Sequence, residues 1–506
     1  MKFGFWSILC GSAVGVAALV WLLRAPDRGD ETAGMTLIVY CAAGMRQPVE
    51  QIAAAYTAEY GVKIELEFEG SGTLLSKIRS APNRGHLFLA ADETYIEEGR
   101  KFDLLAETIP VAVQTPVLAV PAGNPKSVRG LDDLTRSDVK VVLANPELAS
   151  IGRTVKKALT PGGDWDRIVA RTKGPSARVS FVGTVNEVAQ SLKIGSADAG
   201  LVWDTTARMF GLEVVPAERL AKARQTAVIA VLSQCDQPTA SLRFARYVAS
   251  RDQGGIVFER HQVDPLPDAD TWGGPMPEIP VMIGAMLKPG VEEALRAFEE
   301  REGVRITPVY NGCGVLVAQM RAGQRADMYV ACDHTFMRMV EDRFEPAVDV
   351  SRNRLVLAVP RGNPRGLASL ADLAEGSLKI GLAHPVNSAL GKRTDDLLRQ
   401  HGLHEKVHQA NTVIHADAGH MLVNQLRAGS LDAAVVYRSN VLSSPEAAER
   451  IEITPLPWDD AVAVQPVAVR RGTSHRYLLY RLLDALTSET TAERFRESGF
   501  EWVHRR

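Results

Sequence analysis

Cysteine is scarce in this chain. Five occur in 506 residues, at positions 10, 41, 235, 313 and 332, with no CxxC pair. An odd, scattered set of this kind excludes a zinc ribbon and a disulfide-stapled scaffold. Net charge is nearly absent as well, with 58 Lys and Arg against 60 Asp and Glu. No run of one sign marks a binding tail, so nucleic acid is not an expected partner. Neither a GxSxG elbow nor a GxxxxGK[ST] loop occurs, which removes the common signatures of serine hydrolases and P-loop NTPases. No catalytic residue, cofactor or metal ligand is expected. Five of the eleven histidines fall at 401, 404, 408, 415 and 420, but Gly402 interrupts the helical spacing and no cysteine completes a zinc set.

What remains is ordinary globular composition, 46% hydrophobic and 23% charged. At roughly 150 residues per domain, the length allows about three folding units. One long apolar run stands apart, from Phe3 to Leu23, and it is long enough to cross a hydrocarbon core of about 30 Å as a helix. It ends in Val20-Trp-Leu-Leu-Arg24, a poor cleavage site. Leu9 precedes Cys10, where a lipoprotein cysteine needs a small residue. Residues 1–34 therefore read as an uncleaved membrane anchor, with a cleaved signal as the other reading.

The rest of the chain is written twice. Val117-Leu-Ala-Val-Pro-Ala-Gly-Asn-Pro125 recurs as Val356-Leu-Ala-Val-Pro-Arg-Gly-Asn-Pro364. Gly61-Val-Lys-Ile64 answers Gly303-Val-Arg-Ile306, Gly70-Ser-Gly72 answers Gly312-Cys-Gly314, and Ala90-Ala-Asp92 answers Ala331-Cys-Asp333. The order is kept throughout, which is the signature of tandem duplication. The join lies in the Pro-, Gly- and Asp-rich stretch Asp264–Pro277, a semi-rigid spacer by composition. The expected division is an anchor over 1–34, a first unit over 35–263, a linker over 264–278 and a second unit over 279–506.

Within each unit, short apolar runs alternate with helical spacing. Thr36–Tyr40, Lys63–Phe68, Leu87–Ala90, Val117–Val120, Val139–Leu143 and Gly200–Trp203 read as strands. Val49, Ile52, Ala53 and Tyr56 fall on one helical face. This alternation predicts an α/β fold with mostly parallel sheets, whose ligands lie beyond the carboxyl ends of the strands. The loops there are small and hydroxyl-bearing: Ala42-Ala-Gly44, Gly70-Ser-Gly72, Asn145–Gly152 and Gly183-Thr-Val185. Each leads into a helix. Helix starts present unpaired N–H groups and a positive dipole end, so several converging starts make an anion site without Lys or Arg.

Taken in order, Tyr40-Cys-Ala-Ala-Gly-Met45, Gly70-Ser-Gly-Thr-Leu74, Ala90-Ala-Asp92, Val120–Pro125, Ala144-Asn-Pro-Glu147 and Ala197–Trp203 carry a resemblance. Each unit is similar to the molybdate-type periplasmic substrate-binding proteins, the type II fold of ATP-driven (ABC) oxyanion importers, from about Met35 to Gln262 and from about Ile279 to Val503. The resemblance implies two lobes per unit joined by crossing strands, and a tetrahedral oxyanion, molybdate or tungstate first, caught in the cleft. It implies permease and ATPase subunits as partners, and a place on the periplasmic face of the cytoplasmic membrane. Carried over residue by residue, it assigns ligand binding to Gly44, Ser71, Ile151, Val185 and Trp203. Gly44 stands where the family often has serine, and Trp203 where it often has tyrosine.

The second unit departs further. Its corresponding residues are Cys313, Leu390, Gly419 and Tyr437, with Met286 in place of Gly44. A thiol is a weak donor. Cys313 and Cys332 read as small buried residues or as a pair. These departures, with the anchor, leave a second function open: a membrane-tethered sensor or interaction protein with one or both clefts vestigial.

Overall fold

A computed structural model describes residues 34–172 and 177–504. The anchor expected over 1–34 lies outside them, apart from Gly34. No helix among the described residues is long and apolar enough to cross a membrane. The described chain forms two compact units. One runs to Val248 and includes Ile256–Asp264, and the other takes Ala249–Gly255 and the chain from Pro265 onward.

The first unit contains β1 (Thr36–Ala42), β2 (Lys63–Glu69), β3 (Leu87–Ala90), β4 (Leu105–Gln114), β5 (Pro116–Val120), β6 (Val141–Ala144), β7 (Val179–Val182), β8 (Ala199–Trp203), β9 (Glu213–Val215), β10 (Gln225–Leu232) and the two-residue β11 (Asp264–Pro265). They form two sheets, ordered β2-β1-β3-β10-β4-β11 and β7-β6-β8-β5-β9. Each sheet is the floor of one lobe. The expectation of mostly parallel sheets is corrected here. β1, β2 and β3 run parallel, as do β6, β7 and β8, but β10 is antiparallel to β3 and β4, and β5 to β8 and β9. The antiparallel strands are those next to the crossings between lobes, where the chain enters a sheet from the far side.

The helix Arg46–Tyr60 buries Val49, Ile52, Ala53 and Tyr56 on one face, the stripe its spacing demands. It ends at Gly61, whose φ of 70° closes the last turn in the left-handed region that Cβ-bearing residues avoid. Gly303 repeats this with φ 63°. The longest repeated string has a backbone cause too. Asn124 and Asn363 sit at φ 44° and 42°, and each side-chain amide clasps a residue four positions on. Asn124 accepts from Val128 N–H at 2.9 Å and donates to Val128 O at 2.8 Å. Asn363 holds Leu367 in the same way. Asn tolerates this conformation because its short amide pairs locally.

The second unit repeats the plan in one ten-stranded sheet. Its strands are β12 (Glu278–Gly284), β13 (Arg305–Asn311), β14 (Met328–Val330), β15 (Val348–Pro360), β16 (Lys379–Ala383), β17 (Thr412–Ala416), β18 (Ala433–Tyr437), β19 (Ile451–Pro455), β20 (Val462–Val469) and β21 (Glu501–Trp502). The difference is one crossing. In the first unit the ladder breaks between β4 and β5 at Thr115, and Pro116 brings no N–H to it. At the corresponding place Leu355 N–H donates to Ala461 O at 2.9 Å, and β15 runs unbroken for 13 residues through both lobes.

Candidate functional site

In the first unit, the loops that end β1, β2, β6, β7 and β8 meet between the lobes. Gly44 lies in a 3-10 turn, Ala43–Met45, that leads into the helix Arg46–Tyr60. A Cβ built on Gly44 would lie 3.2 Å from Val185 Cγ1, 3.7 Å from Thr206 Oγ1 and 3.8 Å from Trp203 Cδ1. The turn of one lobe thus touches two expected site residues of the other. Ser71 opens the helix Ser71–Ser80. It is buried, and its Oγ accepts from Ala91 N–H at 3.2 Å, which leaves the hydroxyl proton free to be donated. Ile151 is the second residue of the helix Ser150–Leu159, and Val185 the first of Val185–Lys193. The N–H groups of Ser71, Ile151 and Val185 therefore stand in first turns, beyond reach of any intrahelical carbonyl. The side chains of Ile151, Val185 and Trp203 belong to the apolar core of the second lobe, so their contribution is backbone and shape. Trp203 brings an indole where a tyrosine would bring a hydroxyl.

Sequence reasoning missed Thr206. It is the third residue of the helix Asp204–Phe210, it is fully buried, and among the described residues its Oγ1 has no hydrogen-bond partner. An unpaired buried hydroxyl costs about 1–3 kcal/mol, and this one faces Gly44, the position without a side chain. The available signal was Thr205-Thr206, two hydroxyls that follow the apolar strand end at Trp203 after a single aspartate.

The lobes of this unit are latched across the cleft. Gly72 N–H donates to Leu148 O at 3.0 Å, and Asn186 Nδ2 donates to Ala43 O at 2.8 Å. Ser150 Oγ donates to the buried Asp92 carboxylate, which also caps its own helix through Thr94 N–H. Arg153 pairs with Glu98 at 2.7 Å and lies 4.0 Å from the centroid of the Tyr95 ring. Close approach depends on Gly72, where a Cβ would sit 2.4 Å from Glu147 O.

In the second unit the four expected residues line one cavity of about 30 Å³, together with Met286, Cys332 and Asn440. Cys332 N–H donates to Cys313 Sγ at 3.1 Å, the counterpart of Ala91 to Ser71. Asn440 stands at the position of Thr206 and is differently used, since its Oδ1 accepts from Tyr437 N–H at 3.1 Å. The Tyr437 hydroxyl is buried and has no partner among the described residues, and burial holds its pKa well above the usual phenol range, so it remains a neutral donor. Arg393 reaches Asp333 at 2.7 Å where the first unit uses Ser150 and Asp92.

The histidine stretch needs a correction of another kind. His404-Glu-Lys-Val-His408 matches the HExxH spacing of zinc peptidases, which sequence reasoning overlooked. His404 Nε2 lies 2.9 Å from Asp395, and His401 stacks on Trp458 at 3.7 Å. Among the described residues no three ligating side chains meet as a metal site.

The model of a bacterial extracellular solute-binding protein domain matches residues 37–261 and again residues 279–501. The molybdate-binding protein ModA of Mycobacterium tuberculosis is 28% identical over 240 residues, 45% of this chain and 87% of that protein. ModA of Mycobacterium bovis matches to the same extent. The solved periplasmic molybdate-binding protein of Azotobacter vinelandii aligns with a TM-score of 0.39 and 17% identity, over 46% of this chain and 99% of that one. Matched across both halves, the chain belongs to the bacterial extracellular solute-binding protein family and carries its domain in two tandem copies.

Proposed function

We propose that this chain is the extracytoplasmic receptor of an ABC importer and that its first unit captures a tetrahedral oxyanion, molybdate or tungstate. The observation that carries the reading is the first cleft. Loops that start helices in both lobes meet there, and they bring the Ser71 hydroxyl and the unpaired Thr206 hydroxyl with them. An anion that touches both lobes binds the closed state better and shifts the population toward it. The closed face then docks on permease and ATPase subunits. Specificity comes from cleft size, because a fixed ring of buried donors leaves some unpaired around a smaller anion. Uncharged donors inside a closed cleft give binding with little salt dependence.

The second unit serves as a docking or spacing module in this reading. Met286 occupies the place of Gly44 and Cys313 that of Ser71, so a bulky thioether and a weak donor stand where the first unit has a small turn and a hydroxyl. The test is thermal unfolding of the full chain with molybdate, tungstate, sulfate or phosphate. A ligand at about 100 times its Kd adds about 2.7 kcal/mol. Molybdate and tungstate are expected to raise a transition by several degrees at concentrations where sulfate and phosphate do not. The absence of a shift with all four refutes the reading.

A further inference from the structure

The second cleft brings two sulfurs to one point. Cys313 opens the helix Cys313–Arg321, and Cys332 follows β14. A Cβ built on Gly284 would lie 2.1 Å from Cys332 Sγ and 3.0 Å from Cys313 Sγ, so both sulfurs fill the space that a side chain at 284 would take. Both residues are buried thiols, and the N–H of one already bonds the sulfur of the other. Those two distances place the sulfurs no more than 5.1 Å apart. The first unit has Ser71 and Ala91 at these positions, so anion capture on this fold has no need of a sulfur pair, and a thiol donates poorly. The pair also faces the cleft, lining the same cavity as Tyr437 and Leu390. The family is one of extracellular solute-binding proteins, and disulfides persist on that side of the membrane.

We propose that Cys313 and Cys332 form a reversible dithiol–disulfide site that reacts with low-molecular-weight disulfides entering the open second cleft. The Cys313 thiolate attacks one sulfur of the oxidant, forming a mixed disulfide and releasing one thiolate. Cys332 then loses its proton and attacks Cys313 Sγ, the new S–S bond forms, and the second thiolate leaves. Two protein thiols are oxidised, one disulfide is reduced to two thiols, and the two released protons go to the leaving thiolates. The order of attack follows from the surroundings. Burial is the largest influence on Cys313 and opposes its ionisation, but hydrogen bonds from the Cys332 side chain and N–H and from Tyr329 together set it below an ordinary thiol, while the hydrogen bond to Cys313 and burial raise Cys332. Oxidation removes the only S–H at the position of Ser71, so the oxidised second cleft lacks that donor. The inference does not depend on which anion the first cleft takes.

The full chain is incubated with oxidised glutathione or with a phosphine reductant, then denatured, alkylated with N-ethylmaleimide and mapped by mass spectrometry. The reduced sample is expected to carry five adducts, and the oxidised sample three, with one linked peptide pair containing Cys313 and Cys332. Reduction restores all five. In Cys313→Ser the linkage is absent. Five adducts after oxidation, or linkage through Cys41 or Cys235 instead, overturns the proposal, and the wild-type arm alone decides this even where the variant fails to fold.

Discussion

Thr206 and Gly44 face each other across the first cleft, one with a hydroxyl that no described residue pairs and the other with no side chain at all. A serine at 44 would place its hydroxyl in the same space, so the two positions together supply one donor. Thr206→Val keeps the shape and removes that donor. Its loss is worth about 1 kcal/mol, so molybdate affinity is expected to fall about fivefold with folding unimpaired, as read by titration calorimetry. An unchanged Kd would remove Thr206 from the site. Positions of this kind are poorly legible in a sequence. Ser71 was accessible because its Gly-Ser-Gly loop repeats as Gly312-Cys-Gly314. Thr206 was not, because its partner in the second unit is Asn440, and only packing shows which way a hydroxyl in the first turn of a helix points.

At the scale of elements, the strands and helices followed from their periodicity, and each expected strand is present within about two residues. Strand direction did not follow, since an apolar run such as Val117–Val120 reads the same in either sense. The repeated Pro-x-Gly-Asn-Pro string also shows why a repeat is not by itself a site: it marks a left-handed turn held by an asparagine amide. Glycine at 72 has a different cause, the carbonyl of Glu147 in the opposite lobe. Gly72→Ala is compatible with the first turn of the helix Ser71–Ser80, where alanine is favoured, but in the closed cleft it overpacks at a cost of about 1–3 kcal/mol. Molybdate binding should weaken about fivefold or more while the unfolding temperature without ligand does not fall. Undiminished binding would mean that the latch between Gly72 and Leu148 is unnecessary for capture.

The whole molecule is a duplication whose copies have diverged in the cleft and at the crossing between lobes. The first keeps a glycine at 44, a serine at 71 and an interrupted crossing at Thr115. The second has a methionine, a cysteine and one continuous strand, β15. Anion binding is therefore assigned to the first unit and is expected once per chain. Titration calorimetry of the full chain with molybdate, repeated with Ser71→Trp and with Cys313→Trp, tests this most directly. The account predicts one site per chain, lost in Ser71→Trp and kept in Cys313→Trp. Two equivalent sites, or binding that survives Ser71→Trp and disappears in Cys313→Trp, would contradict it.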